Sequence, residues 1–156
     1  MASGLEGFIV APHEGMAWGM GPGRPAVFKI LTDATDGRVG VFEEMVPPGV
    51  GTPLHIHRDS DEVIYILSGE FIARLGDRTH RISTGAWAFV PRTIVHGWRN
   101  CGTSEGRALF MFAPGGGAKS FEELCRQGKS LPEIDPAVRA EIFERNGHTV
   151  ITRDWE

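Results

Sequence analysis

The residues of this chain best suited to chemistry lie in one stretch, Gly49-Val-Gly-Thr-Pro-Leu-His55-Ile-His57-Arg-Asp-Ser-Asp-Glu62. Side chains alternate faces along a β-strand, so His55 and His57 point the same way, about 7 Å apart along the backbone, and offer two imidazoles to one ion. The polar break from Arg58 to Asp61 lets the chain bend and swing the Glu62 carboxylate toward the same point. Two imidazoles and a carboxylate form the donor set of open, reactive divalent-metal sites. A second stretch, Gly85-Ala-Trp-Ala-Phe-Val-Pro91-Arg-Thr-Ile-Val-His96-Gly-Trp-Arg-Asn100, puts a single histidine at the start of a strand. A histidine met alone in this way is more often structural than a ligand.

Positioning these side chains requires a rigid frame, and the pattern around them is one of short strands. Glycine accounts for 21 of 156 residues, nearly twice the usual share of about 7%, so the chain turns often. Runs read as strands are Val27 to Leu31, Val39 to Val46, Val63 to Leu67, Phe71 to Leu75, Arg78 to Ile82, Trp87 to Val90, Val95 to Arg99 and Ala108 to Phe112. Ser68-Gly69 and Gly76-Asp77 are the sharpest hairpin signals. Strands this short must bury a face against another sheet, which predicts an all-β antiparallel barrel or sandwich. Residues 1–25, dense in glycine and proline, read as an arm, and 26–114 as the barrel. Residues 118–147 read as a helical tail, with a capping box at Ser120 to Glu123 and a second helix opened by Asp135-Pro136. No internal repeat is visible, so one domain is expected.

Composition removes several partners. The chain is 41% hydrophobic and 23% charged, a globular balance, and its formal charge of -4 comes without any run of Lys or Arg. Nucleic acid is therefore not an expected partner. The longest apolar runs fall far short of the roughly 18 residues of a membrane span. No secretion signal is visible near Met1, which points to the cytoplasm. Cys101 and Cys125 have neither partner spacing nor an adjacent histidine, and no redox or catalytic role is expected of them.

The two histidine stretches resemble the paired signature motifs of the cupin superfamily. Gly49, His55, His57, Glu62 and Gly69 fit the first motif; Gly85, Pro91, His96 and Asn100 fit the second, with Thr93 where the family usually has glycine. The resemblance covers the stretch from Ala26 to Pro114 and implies a jelly-roll barrel holding one divalent metal ion through His55, His57, Glu62 and His96. Iron, manganese, nickel, cobalt, copper and zinc all suit three imidazoles and a carboxylate. Cupins are commonly dimers that exchange terminal arms, so a homodimer is implied as well. His13, His80 and His148 match neither motif and are expected at the surface or at helix ends.

Four protein ligands on a six-coordinate ion leave two positions open, as in a catalytic site. Residues sharing the inward parity of the histidines, namely Ile64, Ile66, Phe89, Trp98 and Phe110, are the expected walls of a small-molecule pocket that accepts a planar, rather apolar substrate. A sugar phosphate would need several cations near the ion, and only Arg74 and Arg92 are candidates. Within cupins the chain looks most like the one-domain quercetin-dioxygenase-like group. That resemblance implies oxygenative cleavage of a small enolic or phenolic substrate, with Glu62 taking its proton. A metal-dependent isomerase or epimerase, and a cupin that binds without turnover, remain the alternatives.

Overall fold

The period-two pattern becomes an inside and an outside: Glu62, Ile64 and Ile66 are buried, while Val63 and Tyr65 between them are half-covered. The computed structural model describes residues 5–155. Its first sheet runs β1 (Met16–Gly19), β2 (Pro25–Ile30), β3 (Gly40–Val46), β10 (Gly106–Ala113), β5 (Asp61–Ser68) and β8 (Trp87–Val90). The second runs β11 (His148–Thr152), β4 (Leu54–His57), β9 (His96–Asn100), β6 (Glu70–Leu75) and β7 (Arg78–Ser83). All pairings are antiparallel, and the two sheets face each other as a jelly roll. The core between them is aromatic. Phe42 and Phe110 lie 5.1 Å apart, and Trp98 stacks on Phe110 at 5.1 Å.

The barrel draws strands from both ends of the chain. Within the stretch read as an arm, β1 pairs with β2; beyond the helices, β11 pairs with β4. Gly76-Asp77 is the hairpin between β6 and β7, as expected. Ser68-Gly69 is not a hairpin. Its flanking strands belong to different sheets, because β5 is already paired on both sides by β10 and β8. Gly69 makes the crossing at φ 96 with Gly106 packed against it, where a side chain would collide.

Two helices, α1 (Gly116–Cys125) and α2 (Pro136–Arg145), close one side of the barrel. Asp135 caps α2 as read, its carboxylate accepting from the Ala137 and Val138 amides. The Ser120 capping box does not form: α1 begins at Gly116, and the Ser120 hydroxyl donates to the Gly117 carbonyl. The early start has two causes. The Ser60 hydroxyl accepts from the Gly117 amide, and Gly117 lies so close to the Phe112 ring that only glycine fits. No helix among the described residues is long and apolar enough to cross a membrane.

Gly51 marks where the first motif meets the second. It bridges to Arg99, and a methyl added there would run into the Trp98 carbonyl and lie 2.7 Å from the Arg99 backbone. Neither neighbour can move without breaking the ladder, so Gly51→Ala is expected to cost about 1–3 kcal/mol. Chemical denaturation checks it; an unchanged midpoint would contradict this close approach.

Candidate metal centre

Opposing sheets supply the cluster: Glu62 stands on β5 of the first, His55 and His57 on β4 and His96 on β9 of the second. His55 and His96 are direct cross-strand partners, their rings 4.2 Å apart. All four side chains are buried, and one ligand-type atom from each lies within 4.8 Å of every other. The four residues named from the sequence are thus brought together. The Thr93 amide donates to the His57 carbonyl at 2.7 Å and ties the two motifs. Thr93 itself sits at φ 69, the left-handed backbone that a glycine would adopt without strain. Asn100, fully buried, donates to the Val46 and Ser104 carbonyls and so braces the end of β9.

Donor chemistry fits a cation. The Nδ1 atoms of His55 and His96 lie 2.9 Å from the carbonyls of Pro53 and Ile94. Donating there leaves each Nε2 with its lone pair turned to the cluster. Glu62 Oε2 is 2.7 Å from His96 Nε2 and 3.5 Å from His57 Nε2. Both ring nitrogens of His57 are buried without a hydrogen-bond partner. Such orphans are costly, and an ion bound to one of them would remove part of the deficit. Burial, helped by the nearby His96 and His57, pushes the His55 imidazole down to about 3, so it stands neutral, the form that binds metals. Burial alone would raise the Glu62 carboxyl, yet its histidine neighbours outweigh that and hold it well below the usual carboxylate range. It is therefore ionised at neutral pH.

His148, expected at the surface, is buried in the same cluster. It stacks on His55 at 4.7 Å and faces His57 edge-on at 4.9 Å. The β11–β4 register sets it opposite His57. Burial, then the nearby His55 and His57, keep its imidazole well below the ordinary value. The only sequence signal for it was the β-branched run Thr149-Val-Ile-Thr152 after a helix-ending Gly147.

The cluster opens on a cavity of about 150 Å³ walled by Phe42, Trp98, Phe110, Phe112, Phe121 and Phe143. Trp98 and Phe110 line it as expected. Ile64 and Ile66 are buried in the barrel core and do not wall the cavity. Phe89 is on the wrong face: it pairs with Val63, is 61% exposed, and leaves the inward positions of β8 to Ala88 and Val90. Arg74 and Arg92 are also elsewhere, Arg74 on the Gly76 carbonyl and Arg92 on Asp61. Three arginines that spacing did not point to, Arg24, Arg139 and Arg153, do reach the cavity. Arg24 is held by Glu44, and Arg139 donates to the Leu131 carbonyl.

Known proteins agree with this geometry. Residues 42–112 match the family model described as a cupin domain. Protein SchB from Streptomyces halstedii is 36% identical over 81 residues, which is 52% of this chain and 57% of SchB. Polyketide synthase CurC from Streptomyces cyaneus is 27% identical over 91 residues, 58% of each chain. The chain spans less than two thirds of the length of both relatives. Among solved structures, KdgF from Halomonas sp. superposes with a TM-score of 0.62 at 20% identity, over 70% of this chain and 94% of that one. The polyketide cyclase RemF from Streptomyces resistomycificus does so at 0.57 and 24%, over 70% and 80%. These two share the fold. Motif residues, jelly roll and family match coincide on the same segment, residues 42–112, and that segment of the barrel resembles a cupin domain.

Proposed function

We propose that the chain is a metal-dependent enzyme that closes or aromatises a ring in a planar enolic or phenolic substrate of the polyketide kind. The observation that carries this is a buried cluster of three histidines and a glutamate at the end of an aromatic-walled cavity. A divalent ion held by His55, His57, Glu62 and His96 would supply Lewis-acid stabilisation of a substrate oxyanion. Glu62 keeps Oε2 toward the histidines, and no hydrogen bond among the described residues reaches Oε1. That oxygen takes the proton from the enolic hydroxyl or the acidic carbon. Phe110 and Trp98, stacked on one another in the cavity wall, offer the flat substrate an apolar surface and exclude water, which strengthens electrostatic interactions at the reacting end. The names of CurC, a polyketide synthase, and RemF, a polyketide cyclase, support the substrate class.

Oxygenative cleavage of the same substrate class is the second reading, favoured by a donor set that leaves coordination positions open. One experiment separates the two. Metal-loaded protein supplied with aromatic poly-β-ketones is expected to give a ring-closed product lighter by one water, with no oxygen consumed. Oxygen uptake with a product heavier by both oxygen atoms supports cleavage instead; no turnover across the enolic and phenolic series contradicts an enzyme. A homodimer is part of this proposal, since Phe8 and Ile9 are 50% and 94% exposed and adjacent apolar side chains favour a partner. Light scattering at micromolar concentration should return twice the chain mass, and a monomer would overturn it.

A further inference from the structure

Glu44 breaks an otherwise apolar inward face. It lies on β3 between the buried Phe42 and Val46, is itself 3% exposed, and lines the cavity. Its ionic partner is Arg24, from the turn joining β1 and β2. An arginine fork usually engages both carboxylate oxygens. Here Nε at 2.7 Å and an Nη at 2.5 Å both converge on Oε1. Among the described residues no hydrogen bond reaches Oε2. Burying a charge pair in an aromatic barrel is costly, whereas Oε2 is not sealed off and stays open to the cavity that Glu44 lines. Bracing the turn would need only the bond to Oε1.

The strand register gives the distance from the metal cluster. On β10, Phe112 faces Glu62 and Ala108 faces Glu44. Four residues of strand separate the two layers, about 13 Å. The Phe42 and Phe110 pair occupies the layer between them. A cavity this long with so small a volume is slim, and a fused-ring system lying flat along it meets the cluster at one end and Glu44 at the other.

We propose that Glu44 is a second binding residue of this cavity, accepting through Oε2 a hydrogen bond from a hydroxyl at the substrate end remote from the metal cluster. It rests on reading the cavity as the substrate site. A carboxylate is acceptor-only, so it selects a hydroxyl and rejects a carbonyl or a carboxylate at that end. Glu44 thereby sets which way round the substrate lies, as the few polar groups of an apolar pocket do. Burial raises the Glu44 carboxyl above its ordinary value, and Arg24, the positioning residue, opposes that shift and aims the carboxylate.

Two probes test this, 2,6-dihydroxynaphthalene, with hydroxyls at opposite ends, and 2-naphthol, with one. Calorimetric titration of the metal-loaded protein is expected to show the diol binding about tenfold tighter or more, as befits a hydrogen bond to a charged group. In Glu44→Gln, with metal content and melting temperature checked, the preference should shrink to about threefold or less while 2-naphthol affinity holds. Equal affinities in the unaltered protein overturn the proposal, provided both probes bind and both need the metal. An equal loss of both probes in Glu44→Gln makes Glu44 a brace only and also overturns it. Binding of neither probe, or binding that ignores the metal, defeats the substrate-site reading and this proposal with it.

Discussion

Glu62→Gln is expected to lower turnover of an enolic substrate by roughly 10²- to 10⁴-fold, the usual effect of losing a general base. Glutamine keeps the size of the side chain and one acceptor oxygen but cannot take a proton. Because Glu62 is the sole member of the cluster from the first sheet, its replacement should lower metal occupancy only in part, since the three histidines of β4 and β9 would still offer their donors to an ion. Metal content and turnover measured on the same preparation separate the two roles. A variant with full metal and near-normal turnover would remove Glu62 from the chemistry and assign the proton to a different base.

His96→Ala should nearly abolish metal binding while leaving the barrel folded. Losing a residue that merely supports a ligand costs about 10- to 100-fold in affinity, so losing a ligand should cost more than 100-fold. The fold should survive because His96 lies at the start of β9, whose length is held by its pairing with β6 and by Asn100 at its far end. Competition with a chelator of known affinity reads the loss, and a melting curve reads the fold. Unchanged affinity would exclude His96 from the site.

Much of this site was legible because motif spacing is a local property. His55 and His57 share a face by strand alternation alone, and Glu62 follows the bend that crosses between the sheets. The second motif placed His96, although the chain order says nothing of its pairing opposite His55. What escaped depends on contacts between distant segments. Trp87-Ala-Phe89-Val90 is apolar throughout, so it shows no parity, and Phe89 could be set inside or outside with equal ease; pairing with Val63 sends it out. Ser68-Gly69 reads as a hairpin until β10 and β8 are seen to occupy both edges of β5. The capping box at Ser120 was overridden by Ser60, 57 residues away from the amide it meets at Gly117. Likewise His148 and Glu44 acquire meaning only once β11 lies beside β4 and β3 lies beside β10.

The central claim is that His55, His57, Glu62 and His96 hold one divalent ion at the end of the aromatic cavity. Anomalous diffraction from crystals of the purified protein, recorded across the absorption edges from manganese to zinc, tests it most directly. One peak per chain should lie between Glu62 Oε2 and the ring nitrogens of the three histidines, at the edge of a single element. No peak there after growth and crystallisation with each metal supplied, or a peak held by other residues, would contradict the account.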